Sequence, residues 1–244
     1  MDLIPYTQDL ITGLIYVLLG ARLWRLSQRT NRLPERLLGT SLLLWGGNYF
    51  LYDGSYLALG EPAAAPFYFA ARLVLDLGVF VLALFTWKVF RSEDTWGALL
   101  VAGIGACILI GVGGSIWIQE WEGLLPISNP WFWPAWIAGV VSYAWMTAES
   151  FYHHRWSLQR QRLDLCDAMA CERFLLWSLA GAIWFVQEWI IIYQYVEYEA
   201  LQRWGVAMNF FVSSLEIIPA VLMGLAFTPP AFYRAWVRRR YAPS

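Results

Sequence analysis

Residues 96–118 read WGALLVAGIGACILIGVGGSIWI, an apolar run without one charged side chain. As a helix it would be about 34 Å long at ~1.5 Å per residue, enough for a hydrocarbon layer that needs ~20 apolar residues. Six more runs of this kind flank it. The seven cover about 9–27, 37–58, 67–90, 96–118, 131–152, 173–195 and 205–227, each bounded by charge, proline or a polar cluster. They predict an all-α membrane protein: a seven-transmembrane-helix bundle, one domain over 1–244, with a short basic tail at 228–244. Nothing is left over that could form a soluble domain.

Composition agrees. Of 244 residues, 59% are apolar, 18% aromatic and only 14% charged. A soluble domain averages ~45–50% apolar and ~25% charged. With 17 Lys and Arg against 18 Asp and Glu there is no basic surplus, and no nucleic-acid partner is expected. Three Cys provide no disulfide framework. The N-terminal ten residues carry Asp2 and Asp9 and no basic residue, unlike a signal peptide, so the first run is expected to be a retained span.

Orientation follows from the basic residues. Arg22, Arg25, Arg29, Arg32 and Arg36 follow span 1, and Lys88 and Arg91 follow span 3. Arg155, Arg160, Arg162 and Arg173 lie between spans 5 and 6, and Arg234, Arg238, Arg239 and Arg240 lie in the tail. Fifteen of 17 thus fall on one side, which places the N-terminus outside and the C-terminus inside by the positive-inside rule. Most of the 16 Trp fall at the two boundaries, where an indole, apolar with one donor, prefers to sit. Trp24, Trp87, Trp96, Trp156, Trp177 and Trp236 are assigned to the inner belt. Trp45, Trp145 and Trp184 lie deep and are the ones able to line a pocket. The loop at 153–172 reads as a helical extension of span 5 or span 6. The tail AFYRAWVRRRYAPS reads as a surface-lying helix that meets anionic headgroups.

Ionisable groups inside a span are costly and are usually paired or functional. Five carboxylates and one Arg fall inside the runs: Asp53, Arg72, Asp76, Glu149, Glu188 and Glu216. Glu149 lies close to the inner edge, where it can snorkel. The others lie about 7 Å or more below the outer edge at ~1.5 Å per residue, Glu216 near the middle. Arg72 and Asp76, four apart, share a helix face. Asn209, Ser213 and Glu216 share a stripe of span 7 at i, i+4 and i+7. Four carboxylates facing one Arg need either protons or a cationic ligand. The expectation is an outward-facing acidic polar chamber lined by Asp53, Arg72, Asp76, Glu188, Asn209, Ser213 and Glu216, with Trp184 at its floor. A hydrogen-bond network that only holds the bundle together is the alternative. The glycines of LLLWGGNYF and GIGACILIGVGGS are read as packing contacts. Pro219 is expected to kink span 7 just past Glu216.

Catalytic patterns are missing. The only two His, His153 and His154, lie at the inner boundary, so paired intramembrane haem ligands are excluded, and there is no HExxH. His153, His154, Cys166 and Cys171 have the donor types of a zinc site but loose spacing. No cofactor, no metal and no enzymatic activity are expected.

Seven spans with an outside N-terminus is also the plan of microbial rhodopsins and G-protein-coupled receptors. Trp177, Ser178 and Trp184, with FVSSL at 211–215, resemble stretches of the rhodopsins, but the region lacks their Schiff-base lysine. GARLWRLSQRTNRLPERLLG at 20–39 and ALFTWKVFRSEDTW at 83–96 resemble bacterial seven-span membrane proteins of no assigned function, across about the first hundred residues. That likeness implies a bacterial inner membrane location and no particular activity. The chain can also be cut as 3+1+3, the plan of SWEET-type carriers, with Leu75-Asp76 and Leu215-Glu216 at comparable depth.

Three functions follow as expectations. The first is a non-enzymatic sensor or binding protein whose small-molecule or cationic ligand enters from outside, with a cytoplasmic or membrane protein partner reading the inner side. The second is a proton- or cation-coupled carrier. The third is an accessory structural subunit of a larger membrane complex.

Overall fold

A computed structural model describes residues 4–60, 63–118, 127–161, 163, 165–201 and 206–241, without the side chains of 4, 5, 65, 197–201, 206–210 and 213. Among the described residues all regular structure is helical. In chain order the helices are α1 (Ile4–Thr30), α2 (Leu33–Tyr49), α3 (Ser55–Leu59), α4 (Ala65–Phe90), α5 (Thr95–Trp117), α6 (Phe132–Gln161), α7 (Ala168–Leu201), α8 (Val206–Phe227) and α9 (Ala231–Arg240). A π-helical turn, Phe50–Gly54, joins α2 to α3 without a break.

Among the described residues four helices are long and apolar enough to cross a membrane: Tyr6–Thr30, Pro66–Phe90, Thr95–Trp117 and Ala168–Val196. A fifth unit is counted if α8 and α9, bent by 80° from each other, are taken as one. The expected runs at 37–58 and 131–152 do form helices. The first is interrupted after 17 residues by the π-turn, and the second carries Ser142, Thr147, Glu149 and Ser150 along its length. The helix expected in the loop after span 5 exists as an inward extension of α6 to Gln161.

Packing closes six helices into a ring: α1 on α2, α2 on α4, α4 on α6, α6 on α7, α7 on α8 and α8 back on α1. α5 lies outside the ring, in the groove between α4 and α6. The main core fills the ring with Tyr16, Leu42, Trp45, Leu82, Phe85, Met146, Trp177, Trp184 and Met223. α5 mainly builds a second, smaller cluster through Val101 and Ile104, against Ala83, Ala138 and Trp145, and reaches the main core only at its edge, through Ile108. Its outer side chains, such as Leu99 and Leu109, are exposed.

Glycine sets the closest approach. A Cβ on Gly20 would stand 2.8 Å from the Gly39 carbonyl oxygen, and one on Gly46 would stand 2.7 Å from that of Gly13. Both pairs are seven residues apart on their helices, so α1 and α2 touch backbone to backbone along one seam. In α5 Gly97 receives Trp87, Gly105 Phe80, Gly111 Ala135 and Gly114 Trp131, while Gly103 and Gly113 face open space. Interhelical hydrogen bonds tie the two helices of the seam to their other neighbours, α2 to α4 and α1 to α8. Ser41 donates to the Gly78 carbonyl at 2.9 Å, and Gln8 donates to the Ser214 hydroxyl at 2.8 Å.

Two expectations at the inner end need correction. Glu149 does not snorkel: it is buried, accepts from Arg91 Nε at 2.8 Å and from Trp145 Nε1 at 3.3 Å, and ties the end of α4 to α6. Trp177 is no belt residue; it is buried among Phe85, Phe90, Phe174 and Phe227, because this inward-turned face of α7 is apolar and aromatic.

The tail is more firmly held than a loose surface helix. α8 runs as helix through Pro219, and the sharp bend comes instead at Thr228-Pro229-Pro230, where two prolines withhold backbone donors. Tyr16 donates to the Glu216 carbonyl at 2.8 Å, in the turn that Pro219 weakens. Beyond the bend, α9 folds against the start of α7. Tyr233 and Tyr241 donate to Glu172 at 2.7 and 2.8 Å, Arg240 reaches the same carboxylate at 3.4 Å, and Val237 is fully buried. Burial and the Glu172 carboxylate raise the Tyr241 phenol above its ordinary value, so it stays a donor. Phe232 and Trp236, four apart, remain exposed on the other face.

Replacing Gly20 by Val should cost about 1–3 kcal/mol in reversible unfolding from mixed micelles, because the added carbons meet backbone. Gly103→Ala, which meets nothing, should be neutral or gain about 0.5–1 kcal/mol. In the same assay Arg91→Ala should cost about 2 kcal/mol, less than the ~3–5 of a fully buried pair because Arg91 is 32% exposed. Adding Glu149→Gln to Arg91→Ala should recover part of that loss, since the stranded charge is removed.

Candidate functional site

The ring encloses a cavity of about 160 Å³. All six ring helices line it and α5 contributes nothing: Tyr16 from α1, Trp45, Asn48 and Tyr49 from α2, Leu75 from α4, Tyr143 from α6, Trp184, Gln187, Glu188 and Ile191 from α7, and Glu216 from α8. The α7 residues stand at i, i+3, i+4 and i+7, one helical face. A void of ~150 Å³ is enough for a molecule the size of benzene, and each liquid water occupies ~30 Å³.

One wall is aromatic. Trp45 and Trp184 meet edge to face with centroids 4.8 Å apart, and Tyr143 stands 5.7 Å from Trp184 and 6.0 Å from Trp45. Tyr16 lies 6.1 Å from Trp45 and stacks on Tyr49. The Trp184 indole donates to the Tyr16 hydroxyl at 3.2 Å, which fixes both rings. The other wall is polar. Gln187 donates to one carboxylate oxygen of Glu216. Among the described residues, the second Glu216 oxygen and the Gln187 carbonyl oxygen are buried with no hydrogen-bond partner. Gln187 itself is only 4% exposed. Leaving such groups unsatisfied is expensive, ~1–3 kcal/mol each, more for a charged one.

The predicted site residues divide into three places. Glu188, Glu216 and Trp184 line the cavity as expected. Arg72 and Asp76 form the pair their spacing implies, Nε to Oδ2 at 3.1 Å, within electrostatic reach of Glu188 but not on the cavity wall. Asp53 is buried elsewhere, beside Asp9 of α1. The side chains of Asn209 and Ser213 lie outside the described residues. A single chamber shared by four carboxylates is therefore not what forms; two of them line the cavity.

Trp145, read as deep enough for a pocket, packs instead on Trp96 and donates to Glu149. The His and Cys near the inner end are committed to other contacts. His154 Nδ1 meets the Cys171 carbonyl oxygen at 2.8 Å, and His153 packs against Phe90 and Phe174. Among the described residues no group of three or more His, Cys, Asp or Glu is placed to hold a metal.

Tyr16 and Tyr143 were not singled out by sequence reasoning. Their signal was a polar-tipped aromatic in the middle of an apolar run, which a count of charges passes over. Among the described residues neither Glu188 nor Glu216 is in an ion pair. The site is thus an aromatic half-shell facing two acids, with Arg72 held by Asp76 nearby. Comparison with protein-family models, curated proteins and solved structures gives no match to this chain.

Proposed function

We propose that this chain is a multi-pass protein of a bacterial inner membrane, crossing seven times with its N-terminus outside and its C-terminus inside, and that it is a non-enzymatic sensor or binding protein. The observation that carries this reading is the cavity, walled by six helices and lined, among the described residues, by Glu188 and Glu216 and by no Lys or Arg. Intramembrane acids facing a void are the usual mark of a ligand or ion site.

Seven crossings are supported by the rods themselves. The helix through the π-turn, 33–59, and α6 are each long enough to span, and the basic residues alternate sides only with an odd number of crossings. The ligand, a small molecule or a cation, would enter from the outer side and settle among Tyr16, Trp45, Trp184, Glu188 and Glu216. α7 would carry the effect inward. It holds Trp184, Gln187 and Glu188 at the cavity and Glu172 under α9, about 18 Å away at ~1.5 Å per residue. A small rotation of α7 would therefore be felt by the tail and by the inner extension of α6, the surfaces offered to a cytoplasmic or membrane partner.

A fluorescent reporter that matures only in the cytoplasm should light up when fused to the C-terminus and stay dark at the N-terminus; the reverse pattern overturns the orientation. Native mass spectrometry of the protein released from its own membrane should find a small-molecule adduct that is lost from Glu188→Gln and Glu216→Gln. An empty cavity together with a stoichiometric protein adduct would replace this reading by an accessory subunit.

A further inference from the structure

The two walls of the cavity make opposite demands, and one class of ligand meets both. Glu188 and Glu216 face the space without an ion-pair partner among the described residues. Such groups call for positive charge. A hard metal ion would want six or more oxygens around it. Much of the wall is instead ring: Trp45, Trp184, Tyr143 and Tyr16, with Trp45 and Trp184 at 4.8 Å and the rest within about 6 Å of a neighbour. Ring faces attract a cation through their quadrupole and suit one whose charge is spread over methyl groups, because that ion gives up little hydration on entry. A protonated polyamine or sugar would need more acceptors than this wall offers.

Volume agrees. A cavity of about 160 Å³ fits an ion of about five heavy atoms, since ~150 Å³ is enough for benzene. Gln187, 4% exposed, donates to Glu216 and so fixes one acid at the cavity wall. Resting on the binding-protein reading above, we propose that the cavity recognises a small methylated ammonium ion, with the charge against Glu188 and Glu216 and the methyl groups against Trp45, Trp184 and Tyr143.

The test is calorimetric titration of the whole protein in lipid nanodiscs with tetramethylammonium chloride. tert-Butanol serves as the neutral shape match and potassium chloride as the hard cation. Saturable binding of tetramethylammonium alone is expected. Glu188→Gln should weaken it by about tenfold or more. Trp184→Leu should weaken it by about tenfold, and Trp184→Phe by less, in the order of their ring quadrupoles. Equal melting temperatures of the variants would show that the loss is not unfolding. Binding of tert-butanol as tight as that of the ammonium ion, or no binding of the ammonium ion at all, overturns the proposal. If the native adduct is then still present, the cavity remains a binding site for another class of ligand. If it too is missing, the binding-protein reading falls with it.

Discussion

The contact between the backbones of α1 and α2 is the constraint from which the rest of the bundle takes its dimensions. In lipid, apolar side chains gain nothing by leaving one apolar surface for another, so helices adhere where their backbones come closest. Gly13 against Gly46 and Gly20 against Gly39 permit that approach, at spacings where any Cβ would collide with a carbonyl. Tyr16 lies between the two α1 glycines, and Trp45 directly precedes Gly46. The seam therefore fixes the height at which these two rings meet, and their meeting builds the aromatic wall. A looser α1–α2 contact would widen the cavity and separate Tyr16 from the Glu216 carbonyl that it supports.

The charged groups divide along the same axis. Toward the end of the ring that carries α9, acids are consumed by structure: Glu149 by Arg91 and Trp145, Glu172 by two tyrosines and Arg240. Higher up, Arg72 is taken by Asp76 on its own helix. At the ring's centre there remains acid without a matching base. Buried ion pairs are weak evidence of function, because they recur as structural ties. Buried acids that line a void and share no tie are stronger evidence, because a purely structural bundle would gain by replacing them with apolar side chains.

The extent of the helices was legible because each apolar run ends at charge or proline, so 67–90 became α4 and 96–118 became α5 within two residues. Ring order was not legible. Nothing in a hydropathy pattern says that α5, the most apolar run, should be the one left outside. The physical reason is that α5 carries no charged side chain and its Ser115 bonds back to the Gly111 carbonyl of the same helix. It has little to bury except glycine contacts. The Arg72–Asp76 pair was legible from spacing alone, whereas Asp53 was placed by depth, and depth does not say that its neighbour would be Asp9 of α1. Glu149 was misread through depth. Proximity to the boundary makes snorkelling easy, but Arg91 from the end of the neighbouring helix made it unnecessary.

α7 is where these threads join. Its outer half presents Trp184, Gln187 and Glu188 to the cavity, its middle packs Leu176, Trp177 and Ala180 into the main core, and its first turn holds α9 through Glu172. A helix with one face packed into the core from Cys171 to Gln187 moves as a rod, since close-packed cores transmit displacement and do not absorb it. The carboxylate at one end and the carboxylate at the other are then mechanically one object. Neutralising the charge of the first by a ligand changes what the outer half of α7 must lie against. The compliant neighbour at its inner end is a ten-residue helix joined by a Pro-Pro bend. The bend separates α9 from α8, while Tyr233, Val237, Arg240 and Tyr241 hold it on α7, so the position of α9 follows the helix it packs on and not the one that precedes it.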